Sequence, residues 1–213
     1  DLLGLGVLPA DKLKDIFSSI AAIQRESDGL NYDMASLEIN DIREEQEYHG
    51  KRVVLFAQLG KARIRLQIDI GIGDIVTPAP ETMDYPTLLD FPAPHIKAYP
   101  ITTVIAEKLQ AMVALGLQNS RMKDFHDVDF ISRNMALNGA LLARAIKATF
   151  TRRHTPLPHG VPLALTEEFS RDLTKNSQWK AFHLKHLLPQ ASRNLTEVIA
   201  HLQLFLLPPI QAV

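Results

Sequence analysis

The hydrophobic period of this chain changes twice along its length, and those changes limit what it can fold into. From Ala62 to Ile70 the alternation is strict. Ile64, Leu66, Ile68 and Ile70 point one way, and Arg63, Arg65, Gln67 and Asp69 the other. This is the two-residue period of a strand with one buried face. From Thr102 onward the apolar residues recur at helical spacing instead. That spacing predicts helices over 102–117, 122–135, 138–151, 165–175, 178–187 and 192–206, with Pro156, Pro158 and Pro162 marking a loop between the third and fourth. Before the strand, Leu13, Ile16, Phe17, Ile20 and Ile23 predict a further amphipathic helix. It opens at Pro9, with Arg25 near its end and Gly29 closing it. Ser36–Ile42 and Arg52–Leu59 read as two more strands, joined by a turn at Tyr48-His49-Gly50-Lys51 and followed by a second turn at Gly60-Lys61. Three consecutive strands suggest an antiparallel meander. The proline-rich stretch 74–100 reads as an ordered connector with one short strand. The order of helix, strands, then helices predicts an α+β fold. Its domains are read as 1–100, a sheet-containing core, and 101–213, a helical bundle.

With 213 residues, 46% of them hydrophobic, the chain can build one large core or two small ones. Its net charge of -1 provides no global attraction for nucleic acid. There is no cysteine, which excludes disulfide scaffolds, thiolate zinc sites and cysteine nucleophiles and fits a cytoplasmic location. No apolar run approaches the roughly 20 residues that span a bilayer. The apolar opening Leu2-Leu3-Gly4-Leu5-Gly6-Val7 lacks the flanks of a signal peptide. The chain opens on Asp1 rather than methionine, and reads as part of a longer product.

Three places can carry chemistry. Asp69 sits inside a strand, where aspartate is uncommon, and is followed by Gly71 and Gly73. It is either a carboxylate presented at a cleft or a surface acid paired with Arg63 or Arg65. Asp74 is a weaker candidate of the turn type. Lys108 shares a helical stripe with Val104, Ala111 and Leu115. A lysine on or beside an apolar face needs an anion, which can be a phosphate or a structural carboxylate, unless it snorkels to water. The third place is Arg121-Met122-Lys123-Asp124-Phe125-His126-Asp127, in which Asp124, Asp127 and Ile131 share one helical face. Acids at a helix start also serve the helix dipole. His126-Asp127 alone is too little for a metal phosphohydrolase, which would need further histidines grouped around it. Trp179, Phe182 and Leu187 read as bundle core. Arg152-Arg153-His154, Lys180 and Lys185 read as solvated charge. No Walker loop, nucleophile elbow or dinucleotide glycine motif is present.

Four stretches together resemble the AbiEii/AbiGii-type nucleotidyltransferase toxins, within the polymerase-β-like superfamily. Asp1-Leu2-Leu3-Gly4 is similar to the tail of the family's Asp-x-Asp strand. Gln67-Ile68-Asp69-Ile70-Gly71 is similar to its third-carboxylate strand. Ile105-Ala106-Glu107-Lys108-Leu109-Gln110-Ala111 is similar to its lysine helix. Arg121 to Asp127 is similar to its last acidic motif, and the run around Phe169, Trp179 and Phe182 also resembles the family. The likeness covers nearly the whole chain. The resemblance implies a polymerase-β-like sheet followed by a helical bundle. It implies Asp1 and Asp69 as ligands of Mg2+, or of Mn2+ in its place, because hard cations take oxygen donors. It implies Lys108 on the triphosphate of an NTP, Asp124 as base or orienting group, Asp127 as a support, and Arg121 and Lys123 on phosphate or an acidic side chain.

The implied activity is transfer of a nucleotide to an acceptor, RNA or a tRNA end, by the toxin of a toxin–antitoxin or phage-defence pair with a cognate antitoxin protein. The alternative is a non-catalytic nucleotide- or partner-binding module of the same fold. The family's glycine segment and first aspartate, which would precede Asp1, are not in this sequence. The chain by itself is therefore expected to be inactive, whereas its parent would be an enzyme.

Overall fold

The computed structural model describes residues 2–23, 29–43, 49–186 and 193–213. Asp1, Arg25, Tyr48 and Leu187 lie outside them. The chain divides into two compact units, Asp1–Asp74 and Ile75–Val213.

Among the described residues, the first unit is a four-stranded mixed sheet with one helix. The strands are β1 (Leu2–Gly4), β2 (Leu30–Arg43), β3 (His49–Leu59) and β4 (Ala62–Ile72), in the order β1-β4-β3-β2. β2, β3 and β4 form the antiparallel meander, and β1 adds parallel to β4 with Leu2 opposite Ile70. Gly60-Lys61 is a two-residue turn between Leu59 and Ala62, and Gly60 has φ 59°. A glycine at the first central position suits the turn that follows the twist of a hairpin. Gly50 and Lys51 are not in a turn; they belong to β3, where Gly50 pairs with both Ile42 and Gly71. β2 carries a bulge between Asp33 and Glu38. There the Ser36 hydroxyl accepts the Phe56 N–H at 2.9 Å, so the displaced backbone donor is still satisfied.

Helix α1 (Ala10–Ala21) lays Leu13 and Phe17 on one face of this sheet, against Val53, Leu55 and Ile70. That leaves the alternate residues of β3 and β4, among them Arg52, Arg63, Arg65, Gln67 and Asp69, on the other face. Gly4 packs closely against Leu8 and Ile70, and a larger residue there would require the Leu8 side chain to move. A Cβ there would come within 2.4 Å of Leu8 Cδ1 and 3.2 Å of Ile70 Cγ2.

The second unit opens with a short hairpin, β5 (Glu81–Asp84) and β6 (His95–Ala98), where the sequence suggests one strand. Among the described residues, six α-helices follow: α2 (Ile101–Leu115), α3 (Met122–Asn134), α4 (Gly139–Arg152), α5 (Glu167–Arg171), α6 (Leu173–Lys185) and α7 (Leu195–Gln211). α2 is central, with Ile105, Ala106, Leu109 and Met112 fully buried. Its start is tied to the preceding segment by Thr103, whose hydroxyl accepts the Thr77 N–H at 3.1 Å and donates to the Thr77 carbonyl at 2.8 Å. Phe125 of α3 stacks on Phe169 of α5 with ring centroids 5.1 Å apart.

The largest differences from the helices read in the sequence are that the break read between 175 and 178 falls at Asp172, so that α6 starts at Leu173, and that the last helix extends beyond 206. The helix read as 165–175 is broken at Asp172. That residue is extended (φ -60°, ψ 131°), and its carboxylate accepts the Lys175 N–H, so it caps α6 instead of continuing α5. α7 runs past 206 through Pro208 and Pro209. In the last turn the two missing N–H groups free only the carbonyls of Leu204 and Phe205, residues that are exposed and part-exposed, so water can satisfy them. No helix among the described residues is long and apolar enough to cross a membrane.

Candidate functional site

In the second unit the structure brings together Lys108, Asp124, Asp127 and Lys123. Asn119, fully buried between α2 and α3, sets the geometry. Its Oδ1 accepts the Arg121 N–H at 2.8 Å, and its amide reaches the Ala111 carbonyl at 3.5 Å. The first turn of α3 is thereby fixed against α2. Lys108 Nζ then lies 2.6 Å from Asp124 and 2.9 Å from Asp127. Lys123 closes on Asp127 at 2.5 Å, one helical turn away.

The anion that meets Lys108 is thus a pair of carboxylates, one of the outcomes left open by the sequence. Side-chain exposure is 18% for Lys108, 15% for Asp124 and 22% for Asp127, so these charges are largely out of water but still reachable. Burial pushes the Lys108 ammonium toward its neutral form. Hydrogen bonds and charge from Asp124 and Asp127 outweigh this and raise its pKa above the ordinary lysine value. Burial likewise pushes Asp127 up, but Lys123 and Lys108 hold it below the usual carboxylate range. Two cations face two anions, so the cluster is neutral. An ammonium carries three N–H donors, and two of them are directed at Asp124 and Asp127. Asp124 does not cap α3; its carboxylate is used on Lys108. Arg121 sits at the N-cap position with its side chain exposed.

His126 leans on Asp127 at 3.6 Å, and its ring meets Phe182 at 5.5 Å and His183 at 6.1 Å. The structure does bring a second histidine to His126, but as part of a ring cluster with Trp179. Among the described residues, no three His, Asp or Glu side chains converge as metal ligands. Of the basic residues read as solvated, Arg153 instead donates to Gln110 at 2.9 Å.

In the first unit Asp69 stands on the sheet face opposite α1. Its partner is neither Arg63 nor Arg65. Those lie further along its own strand, where Arg63 covers the Phe56 ring at 3.8 Å and Arg65 donates to Gln67 at 2.9 Å. Arg52, directly across on β3, is the partner: Nε donates to Oδ1 at 2.7 Å and the terminal nitrogen to Oδ2 at 2.8 Å. These bonds hold Asp69 below the ordinary carboxylate range, against the opposing effect of burial. Arg52 is the residue the sequence reading passed over. A signal for it exists. The turn at Gly60-Lys61 pairs Leu59 with Ala62, and stepping back along both strands pairs Arg52 with Asp69. Asp69 supplies the hard oxygen donors that a Mg2+ ion takes. Each of its oxygens accepts one bond from the Arg52 guanidinium. Asp1 lies outside the described residues. β1, which follows it, runs beside β4, the strand that carries Asp69.

A family model described as nucleotidyl transferase AbiEii toxin, type IV TA system, matches residues 9–201, a span that takes in Arg52, Asp69, Lys108, Asp124 and Asp127. No curated protein matches the chain.

Proposed function

The chain belongs to the AbiEii nucleotidyltransferase toxin family of type IV toxin–antitoxin systems, and from that premise we propose that it transfers a nucleotide from an NTP to an RNA or tRNA acceptor in a Mg2+-dependent reaction. The observation that carries this reading is the Lys108 ammonium shared between Asp124 at 2.6 Å and Asp127 at 2.9 Å. That is a cation held charged, in place and reachable, with one donor left for a phosphate oxygen. Lys108 binds the triphosphate and offsets its charge. As a phosphate takes up part of the ammonium, Asp124 becomes free to accept a proton from the attacking hydroxyl or to orient it. Asp127, clamped by Lys108 and Lys123, keeps the first turn of α3 in register. Arg121, exposed at the same helix start, and Lys123 give further phosphate contacts.

Asp69, with Asp1, serves as carboxylate ligand for the cation. A bound divalent cation supplies charge neutralisation on the phosphate oxygens during displacement. A cognate antitoxin protein is the partner that restrains this activity in the cell.

The test is transfer of a labelled nucleotide from each NTP to total RNA or tRNA, with and without EDTA, by this chain joined at residue 1 to the family's glycine segment and first aspartate, and by the Asp69→Asn and Lys108→Ala variants of that protein; the chain without that segment should show no transfer. Transfer should be abolished by EDTA and fall by about a hundredfold or more in both variants, with circular dichroism unchanged. Activity that persists in both variants removes these residues from the reaction. The second reading, a nucleotide- or partner-binding module of the same fold, draws on the guanidinium that occupies both Asp69 oxygens. It gains if NTP binds but no transfer occurs under any condition.

A further inference from the structure

We propose that the outer face of α4, with the turn that closes it, holds the phosphate backbone of the acceptor RNA through Arg144, Lys147, Arg152 and His154. The inference rests on the reading of RNA as the acceptor and gives that RNA a surface on this chain. The first observation is charge. Asp and Glu make up 24 of the 213 residues, so about four are expected between Phe130 and Thr166 at their average frequency. That stretch has none, and it carries Arg133, Arg144, Lys147, Arg152 and Arg153. Arg133 is drawn to Asp129 and Arg153 to Gln110, while Arg144, Lys147 and Arg152 are exposed. α2 and α7, which pack against α4, carry one acid each, Glu107 and Glu197, so cations stay in excess around it.

Helical spacing puts Ala140, Arg144, Lys147, Ala148 and Thr151 on one side of α4, whereas Leu142, Ala145, Ile146, Thr149 and Phe150 are buried on the other. No large apolar side chain of α4 is exposed. A protein partner would be anchored by apolar or aromatic side chains. A phosphate backbone needs only cations and hydrogen-bond donors. Arg144 and Arg152 lie about 12 Å apart along the helix axis, a span of about three or four phosphates at a rise of about 3.4 Å each.

The second observation is the turn after α4. The Thr155 N–H donates to the Phe150 carbonyl at 3.0 Å, and the His154 N–H to the Thr151 carbonyl at 3.2 Å. This is a Schellman turn, whose left-handed residue is usually glycine. Here it is His154, with φ 45°, the one non-glycine residue at positive φ among the described residues. Its side chain is exposed, so core packing does not require a histidine there. Strain kept at such a position points to a use for the side chain. An imidazole two residues after Arg152 offers an N–H to a phosphate and a flat face to a base.

The experiment is fluorescence anisotropy of fluorescein-labelled tRNA titrated with this chain over a series of KCl concentrations. The proteins are the wild type, the Arg144→Gln, Lys147→Gln double variant, His154→Gly and, as a control, Arg171→Gln, which removes a cation of α5 already paired with Glu167. The double variant should bind about tenfold more weakly, and the slope of log affinity against log salt should shrink by about 0.7–0.9 for each cation removed. Arg171→Gln should bind as the wild type does. His154→Gly should bind about fivefold more weakly, with a melting temperature unchanged or higher, a combination that a structural role for His154 does not give. Equal binding by the double variant and the wild type, or no binding by the wild type, overturns the proposal. So does tighter binding of labelled polyglutamate than of tRNA with the same dependence on Arg144 and Lys147, which assigns the face to an acidic protein. Transfer is read separately. A protein that binds tRNA through α4 but transfers nothing sinks the reaction and keeps this surface; one whose transfer and tRNA binding ignore Arg144 and Lys147 does the reverse.

Discussion

Lys108 is pulled in opposite directions by burial and by two carboxylates, and the carboxylates win. The consequences for stability follow from the direction of each shift. The pKa of Lys108 is raised on folding, so its contribution is complete below the ordinary lysine value of 10.5 and is lost as pH rises through the raised one. The pKa of Asp127 is depressed, so its contribution is complete above the ordinary 3.8 and is lost as pH falls through the lower one. The cluster is therefore constant across neutral pH. Replacing Lys108 with Met keeps the stem but leaves two carboxylates facing each other. The loss should be roughly 1–3 kcal/mol in urea unfolding, below the value for a fully buried pair because water still reaches the group. His183 and His201 behave differently. Burial lowers both, helped by the His126 charge at His183; at His201, Arg133 and Arg193 lower it while Asp129 opposes. The unfolded chain then takes up protons first, and stability falls as pH drops from 6.5 through the depressed values. The melting temperature should be lower at pH 5.5 than at pH 7.5. His183→Phe, which retains a ring beside Trp179, should lessen that drop. An undiminished drop assigns the effect elsewhere.

At the scale of elements, helix α3 links most of the features of the second unit. One side carries Asp124 and Asp127 toward Lys108, its inner side buries Phe125 and Val128, and His126 enters the ring cluster. Asp124, Asp127 and Ile131 on one face were legible because helical spacing is geometry local to the chain. The position of the break between α5 and α6 was not: the sequence reading placed it between 175 and 178. Leu165, Phe169 and Leu173 keep helical spacing across it, and only the side chain of Asp172 turning back to the Lys175 N–H ends one helix and starts the next. Asp172→Ala should cost about 1 kcal/mol, the usual worth of such a cap, measured by thermal denaturation. No change would mean that packing alone sets the break. The bulge in β2 was equally hidden, since it depends on Ser36 meeting the backbone of a different strand.

For the whole molecule, the two units have unequal cores. Among the described residues, the helical unit joins twenty-one buried apolar side chains in one cluster, and the sheet unit joins five. Since each buried Val, Leu, Ile, Phe or Met among them contributes about 1.5–3 kcal/mol, and the helical cluster holds more of these, the sheet unit should open first. Trp179, the single tryptophan, reports on the helical unit alone. In urea, far-UV circular dichroism should begin to change before Trp179 emission does; coincident transitions would mean the units unfold as one. The sequence by itself determined the change from strand to helix, the meander, the α+β class and the residue types of the candidate site, because hydrophobic period and helical spacing are properties of a single segment. Tertiary structure alone decided that Lys108 is met by two carboxylates, that His183 reaches His126, and that Arg52 rather than Arg63 or Arg65 holds Asp69. Each of these joins residues from different elements, and which partners meet depends on strand register and helix packing, which no single segment encodes.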